Sequence, residues 1–234
     1  MEDNGLRGCP AWTQYFRETE TIHTSSQWAK LNIGVLVEGQ FKGKNVFKIT
    51  ETTAIGSHSL DHAAVGGFAD MSIMGMTFYA KPNGRNVLTV NIVDKANTSL
   101  GVAKLDLSNG TIPYMRDGYF VAGHIDPDAD GWLLCHVAFR IGSGSYAPQV
   151  KLLLTESLLD GAWYYTGDGV SGAYLSHASW CNFGVNGTPW IPPYVPNTTT
   201  SALSVVSEAG STTNGTSFDL DPIVTGKQIG RAHV

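Results

Sequence analysis

The segment HIDPDADGWLLCHVAFRI, residues 124–141, decides the fold of this chain. In its second half, every other residue is apolar: Leu133, Cys135, Val137, Phe139 and Ile141. The residues between them are of mixed polarity: Leu134, His136, Ala138 and Arg140. A period of two is typical of a β-strand that buries one face. Residues 119–125 also read as a strand, and DPDADG supplies the Pro, Asp and Gly of a turn. The sequence therefore predicts a β-hairpin, with Cys135 as a buried thiol.

The same turn places three carboxylates at alternate positions, Asp126, Asp128 and Asp130, followed by Gly131. An EF-hand calcium loop begins in this way, but it needs a bidentate Glu at its twelfth position, where Val137 stands. We therefore predict no metal at this turn and no cofactor for the chain. A calcium site of another kind is the alternative, because three neighbouring carboxylates repel one another unless a cation or water screens them.

Strand-like runs recur about every ten residues along the rest of the chain, and turn signals rich in Gly, Asn, Asp and Pro separate them. No segment carries a long stretch of period 3.6. This pattern predicts an all-β fold, a sandwich or a barrel. The predicted strands are 31–37, 45–50, 57–64, 71–80, 87–94, 101–107, 119–125, 133–141, 149–155 and 172–180.

Composition excludes several classes of protein. Of the 234 residues 42% are hydrophobic and 15% are charged, as in a globular protein rather than a disordered one. The net charge is -5 and no long Lys/Arg run occurs, so we predict no nucleic-acid partner. No apolar run approaches the ~18 residues of a membrane span. The three cysteines form no CxxC motif, which argues against a disulfide framework.

The amino-acid composition changes along the chain, which suggests its division into parts. Residues 1–27 are mixed and polar, as in an N-terminal strap, and residues 28–203 form the predicted β-domain. From Pro189 the chain is rich in Pro, Thr, Ser and Gly, so 204–228 is predicted to be a linker toward a missing C-terminal part. The last residues, 229–234, read IGRAHV, which a common sequencing adapter encodes in one frame; we expect them to be an artefact.

Seven motifs in this order resemble the carbohydrate-binding-module-like jelly-roll domain of phage tail-fibre and head-spike proteins. They are SSQWAKLNIGVLVEG, HSLDHA, MTFYAKPNGRNVLTVNI, KLDLSNGTI, DGWLLCHVAF, TGDGVSGAYL and PPYVPNTTTSA. The resemblance covers roughly residues 25–203, and LDLSNGTI and TGDGVSGAYL are its most specific parts. It implies an antiparallel jelly-roll β-sandwich, for which we expect four or five strands in each sheet. The residues expected to line the shared core are Leu88, Val90, Ile92, Leu105, Leu133, Val137, Phe139, Val150, Leu152 and Leu154.

The chain departs from the family pattern at one strand. Where the family often has Trp, Gln and an acidic residue, this chain has Ser176, Ser179 and Cys181. If the missing Trp served a ligand, that contact is absent here. Trp28 and Trp132 match family positions that look like core, so they are assigned to packing.

A sugar site is predicted from aromatic residues beside a Gly-rich acidic loop. Sugars present apolar C–H faces and many hydroxyls, which exposed rings and planar polar groups complement. Trp163, Tyr164 and Tyr165 precede TGDG, Asp168 lies within it, and Trp190 lies in the Pro-rich segment. Consecutive strand residues point to opposite faces, so at least one of the three rings should be exposed. The alternative is packing at the edge of the core for the rings and fixing of the turn for Asp168.

The sequence argues against an enzyme. His58, Asp61 and His62 form H-x-x-D-H on a predicted strand, but no third metal ligand is evident. No G-x-S-x-G, HExxH or Walker motif occurs. A glycan-active hydrolase, the less favoured alternative, would need two facing carboxylates, and the candidates all lie in predicted turns: Asp126, Asp128, Asp130, Asp160 and Asp168.

We therefore expect a non-catalytic carbohydrate-binding or adhesion module of a phage structural protein. The resemblance places it in the virion, at the surface of a tail or head, after synthesis in the host cytoplasm. Its expected partners are a glycan of the host surface, other virion proteins and further copies of itself. An architectural β-sandwich spacer in a virion fibre is the alternative from another class.

Overall fold

The computed structural model describes residues 12–63, 71–94, 96–116, 120–141, 148–159, 163–184 and 203–205. Most of these residues lie in β-strands. The strands are β1 (Trp12–Gln14), β2 (Trp28–Leu31), β3 (Ile33–Phe41), β4 (Lys44–Glu51), β5 (Ile55–Gly56), β6 (His58–Ala63), β7 (Ile73–Asn83), β8 (Val87–Val93), β9 (Ser99–Asp106), β10 (Thr111–Arg116), β11 (Phe120–Pro127), β12 (Leu133–Arg140), β13 (Gln149–Thr155), β14 (Tyr165–Thr166), β15 (Gly172–Gly184) and β16 (Leu203–Val205).

Two antiparallel sheets pack face to face. The larger sheet has the strand order β11-β12-β7-β15-β1-β16. In the same sheet, β4 pairs with the first residues of β15, and β3 pairs with β4. The smaller sheet has the order β10-β9-β8-β13-β6-β2, and β5 pairs separately with β14. This jelly-roll β-sandwich confirms the predicted fold class. The predicted size of the sheets is wrong, because the sheets have eight and six strands rather than four or five each.

The core lies between the inner faces of the two sheets. Its large members include Trp28, Phe78, Phe139 and Trp180, each at most 1% exposed. All the residues predicted to line the core belong to it, because each takes an alternate, inward position of its strand. The predicted core is therefore confirmed.

The β-hairpin predicted around the turn DPDADG is confirmed. β11 pairs with β12 from Phe120↔Phe139 to Pro127↔Leu133, and one turn of 3-10 helix, Ala129–Gly131, joins them. Cys135 is buried as predicted, and its thiol is not part of a disulfide.

Several strands were not predicted, and the missed strands have identifiable causes. β1, β2, β5, β14 and β16 are only two to four residues long, too short to show a period. β10 contains Pro113, which argues against a central strand, but β10 lies at the edge of its sheet and has a register shift between Thr111 and Tyr114. β15 extends beyond its predicted end at residue 180 to Gly184.

Both ends of the described chain take part in the larger sheet. β1 pairs with β15 through Gln14↔Cys181 and with β16 through Trp12↔Val205. Within the stretch assigned to an N-terminal strap, Phe16 and Ile22 belong to the core cluster. Residues 206–234, which include most of the predicted linker and the IGRAHV segment, lie outside the described residues, as does Cys9.

The described residues include no helix long and apolar enough to cross a membrane.

Candidate functional site

The structure gives the residues predicted to form a sugar-binding loop three different environments. Trp163 is half-buried, Tyr164 is 70% exposed and Tyr165 is 9% exposed. One ring of the three is thus exposed, as expected, but only Tyr165 lies in a strand, so the alternation of strand side chains is not the reason. Trp190 lies outside the described residues.

Tyr165 points toward a buried carboxylate that the sequence does not single out. Its hydroxyl donates to Glu51 Oε2 at 2.8 Å, and Arg85 binds both carboxylate oxygens through Nε at 2.8 Å and Nη2 at 2.6 Å. The Asp168 N–H donates to Glu51 Oε1 at 2.7 Å. Burial alone would raise the pKa of Glu51, but these hydrogen bonds together hold that pKa below its ordinary value. Ionised Glu51 therefore links β4 to the turn after β7 and to the loop before β15.

The Asp168 carboxylate accepts hydrogen bonds from residues of its own loop. Oδ2 accepts from Ser171 Oγ at 2.6 Å, and Oδ1 accepts from the N–H groups of Ser171 at 2.7 Å and Val170 at 2.8 Å. These bonds, those from Ser171 first, hold the pKa of Asp168 well below its ordinary value. The neighbouring Gly167 is required because an added Cβ would lie 1.9 Å from the Thr52 carbonyl oxygen. This geometry is that of a residue that fixes the turn.

Trp163 packs beside cations rather than over open solvent. Lys104 is fully buried and donates from Nζ to the carbonyls of Ser157, at 2.9 Å, and Leu159. The Trp163 ring centroid lies 5.8 Å from Lys104 Nζ and 5.5 Å from the guanidinium carbon of Arg116. Cation–π contacts of this kind hold the ring against the outer face of the smaller sheet. The ring therefore has a packing role.

The structure does not bring the three carboxylates of the acidic hairpin turn together. Asp126 Oδ1 lies 2.7 Å from His124 Nε2, and Asp128 Oδ2 lies 2.5 Å from Lys42 Nζ. Asp130 has a left-handed backbone with φ 58°. Across the described stretches of chain, no group of three or more His, Cys, Asp or Glu side chains is placed to hold a metal.

The two histidines of the H-x-x-D-H motif are both fully buried and have separate partners. His58 Nδ1 lies 2.8 Å from the Asn32 carbonyl oxygen. His62 Nε2 accepts the Arg17 N–H at 3.1 Å. These contacts are structural.

A cleft of about 260 Å³ opens on the outer face of the larger sheet, which faces away from the core. We call it the outer cleft. The strand register brings its central residues together, because Tyr174 of β15 pairs with Lys81 of β7. Leu133 pairs with Ala80, which places Trp132 beside Lys81 from the other side. The residues that line the outer cleft are Glu38, Gln40, Val46, Lys81, Trp132 and Tyr174.

Aromatic packing holds one wall of the outer cleft. Trp132 stacks on Phe41 with ring centroids 4.5 Å apart and an interplanar angle of 20°, and Tyr174 lies 6.4 Å from Trp132. Phe41 in turn meets Tyr79 edge-on at 5.1 Å. Trp132, assigned to packing from the sequence, is indeed buried, but in this outer cluster rather than in the core between the sheets.

The polar groups of the outer cleft fall into two kinds. Glu38 is engaged, because it accepts the Tyr174 hydroxyl at 3.2 Å and lies 3.3 Å from Lys48 Nζ. The side chains of Gln40 and Lys81 make no hydrogen bond or ion pair within the described part of the chain. The outer cleft therefore offers a ligand the half-buried Tyr174 ring, the 7% of the Trp132 surface that is exposed, an amide and an ammonium group.

A second, more apolar cavity of about 410 Å³ lies between β10 and β11. Phe120 in its wall packs edge-on against Phe139 with centroids 5.6 Å apart. Its lining includes Ile112, Met115 and Ile125, with His124 and Thr111 as the polar side chains. It offers fewer hydrogen-bonding groups than the outer cleft.

No protein-family model and no curated protein sequence matches the chain. Among solved structures, the enzymatically active domain of tailspike protein 4 of bacteriophage CBA120 is similar over 70% of this chain and 20% of that one, at 10% identity and a TM-score of 0.42. The CBM22-1 xylan-binding domain of Xyn10C from Paenibacillus barcinonensis is similar over 73% and 92%, at 12% identity and 0.39. The CBM22-1–GH10 modules of xylanase 10B from Clostridium thermocellum are similar over 73% and 27%, at 11% and 0.37. The chain thus spans about a fifth of the tailspike chain.

Proposed function

We propose that the chain is a non-catalytic glycan-binding domain of a phage fibre or spike, and that it holds a sugar in the outer cleft. One observation carries the proposal. The rings of Trp132 and Tyr174 line the same cleft as the side chains of Gln40 and Lys81, which have no partner among the described residues. A sugar ring has an apolar C–H face that packs on an aromatic ring and hydroxyls that accept from and donate to an amide. The cleft offers both kinds of contact within one small space.

The size of the outer cleft argues for weak binding of a short glycan. Its volume of about 260 Å³ is below the ~300–1,000 Å³ of typical ligand pockets. Few polar groups are available to fix orientation, so the affinity of one domain should be low. A virion fibre compensates for this by presenting several copies to the same surface.

The carboxylates of the outer cleft support binding without hydrolysis. A glycosidase flanks the scissile bond with two carboxyl groups, about 5–9.5 Å apart. Glu38 is the one acidic residue among the described residues that line the cleft, and Lys48 and the Tyr174 hydroxyl already engage it. A second carboxylate on the opposite side of a bound sugar is not among the lining residues.

The virion context rests on the ordered motifs of the sequence, from SSQWAKLNIGVLVEG to PPYVPNTTTSA. In that context the partners are a glycan of the host surface, other virion proteins and further copies of the chain. The rival proposal is an architectural spacer, in which the outer cleft has no ligand.

Binding to a glycan array tests the proposal with two tyrosines of one chain. Tyr174→Ala should abolish binding, because it removes a ring of the cleft. Tyr164→Ala is the matched control, because this ring is 70% exposed and lies in the loop before β15; it should change neither binding nor the melting temperature. Loss of binding in Tyr164→Ala alone would place the site in that loop. No binding by the wild-type chain would favour the spacer.

A further inference from the structure

We infer that the sugar held by the outer cleft is acidic, with a carboxylate or sulfate group, and that Lys81 selects it. This inference rests on the proposed glycan-binding function. It follows from the charges of the lining residues, from their order across the strands, and from one ammonium group that has no partner among the described residues.

The charges of the outer cleft do not cancel. Glu38 is paired with Lys48 at 3.3 Å and also accepts the Tyr174 hydroxyl, so its charge is compensated within the protein. Lys81 has no carboxylate partner in the described part of the chain. The cleft thus holds one uncompensated positive charge, although the chain as a whole carries a net charge of -5. An ammonium group without a carboxylate partner favours an anionic ligand at this place.

Two other lysines of the chain show the contrast. Lys42 lies 2.5 Å from Asp128, and Lys151 lies 3.4 Å from Asp61. These ammonium groups are already paired. Lys81 is half-buried beside two aromatic residues and is left without such a partner.

The position of Lys81 suits an exocyclic acid group. In the transverse row of the sheet, Lys81 stands between Trp132, which directly precedes β12, and Tyr174 on β15. A sugar ring that packs on these aromatic residues brings its substituents over the Lys81 ammonium. That group has three donors and no acceptor, which matches the oxygens of a carboxylate or sulfate. A neutral sugar would leave the charge without a partner.

Matched pairs of glycans test the inference directly. The probes are galactose against galacturonate, glucose against glucuronate, and unsulfated against sulfated oligosaccharides of equal length. We expect the wild-type chain to prefer the acidic members by roughly three- to tenfold, the range between an exposed ion pair and a charge-assisted hydrogen bond. Raising the salt concentration from about 0.05 to 0.5 M should weaken the binding of acidic members and leave that of neutral ones unchanged.

Three variants separate the charge of Lys81 from its bulk and from the net charge. Lys81→Met should remove the preference and its salt dependence, whereas Lys81→Arg should keep both. Lys151→Met removes one positive charge from the other sheet and should keep the preference.

The outcomes distinguish this inference from the function on which it rests. Equal binding of neutral and acidic partners by the wild type, or an unchanged preference in Lys81→Met, overturns the inference and leaves glycan binding intact. Binding of neither kind of probe overturns both. A preference for uronates alone, or for sulfated sugars alone, supports the inference and identifies the acid group.

Discussion

Replacing Arg85 by Met should destabilise the domain by about 3–5 kcal/mol, because the change leaves the Glu51 carboxylate buried without a counter-charge. The Glu51 side chain is 0% exposed, and Arg85 supplies two of its hydrogen bonds, at 2.6 and 2.8 Å. Those from the Tyr165 hydroxyl and the Asp168 N–H remain in the variant. They keep the cost far below the ~20 kcal/mol of an unsolvated ion. For a domain of this size the melting temperature should fall by roughly 6–20 °C.

Urea unfolding of a double-mutant cycle measures the effect. Glu51→Gln keeps the shape of the side chain and removes its charge, so Arg85→Met/Glu51→Gln should be more stable than Arg85→Met by at least about 1 kcal/mol. The pKa of Glu51 in the folded wild type lies below its value in the unfolded chain, about 4.3. Its stabilisation is therefore complete above that pH and is lost as the pH falls through the folded value.

Without Arg85, burial should instead raise the pKa of Glu51, so the difference between wild type and Arg85→Met should narrow between pH 7 and pH 4. A loss of stability below about 1 kcal/mol at pH 7, or a difference that does not change with pH, would refute the assignment of Glu51 as a buried ion.

Three further predictions use thermal or urea unfolding. Gly172→Ala should cost about 2–4 kcal/mol, since its Cβ would lie 1.8 Å from a backbone oxygen of β4, whereas Gly34→Ala, with 4.0 Å to the nearest atom, should change little; equal losses contradict the steric reason. Burial lowers the pKa of His62 to about 3 and of His136 to about 4, so stability should fall as the pH drops from about 6.5, the unfolded value, toward 4; NMR that shows either ring charged at pH 6 contradicts this. Millimolar calcium should leave the melting temperature unchanged, because Asp128 is already ion-paired; a rise of several degrees that is lost in Asp128→Asn would contradict it.

The core could be read from the sequence because its strands have one apolar face and lie within the sheets. Leu88, Val90 and Ile92 repeat at every second residue, and Leu152 and Leu154 repeat in the same way on the next strand. A period of two needs no knowledge of the partner strand. Very short strands show no period, and these were missed.

The outer cleft could not be read in this way, because it depends on the register between strands distant in sequence. Tyr174 meets Lys81 only because β15 pairs with β7, and Trp132 joins them only because β12 pairs with β7 on its other side. Each of these residues alone resembles an ordinary outward strand position. Tyr165 shows a second limit of the sequence: its place in an aromatic run suggested a ligand contact, and nothing in that run indicates that its hydroxyl donates to Glu51.

The pairing of Trp12 with Val205 has a mechanical consequence. Opposite residues of an antiparallel pair lie roughly 5 Å apart, so the first and the last described residues of the chain lie side by side. A pull applied to the two strands themselves would open the three β1–β16 residue pairs one after another, from the end where the force acts, rather than shear them together.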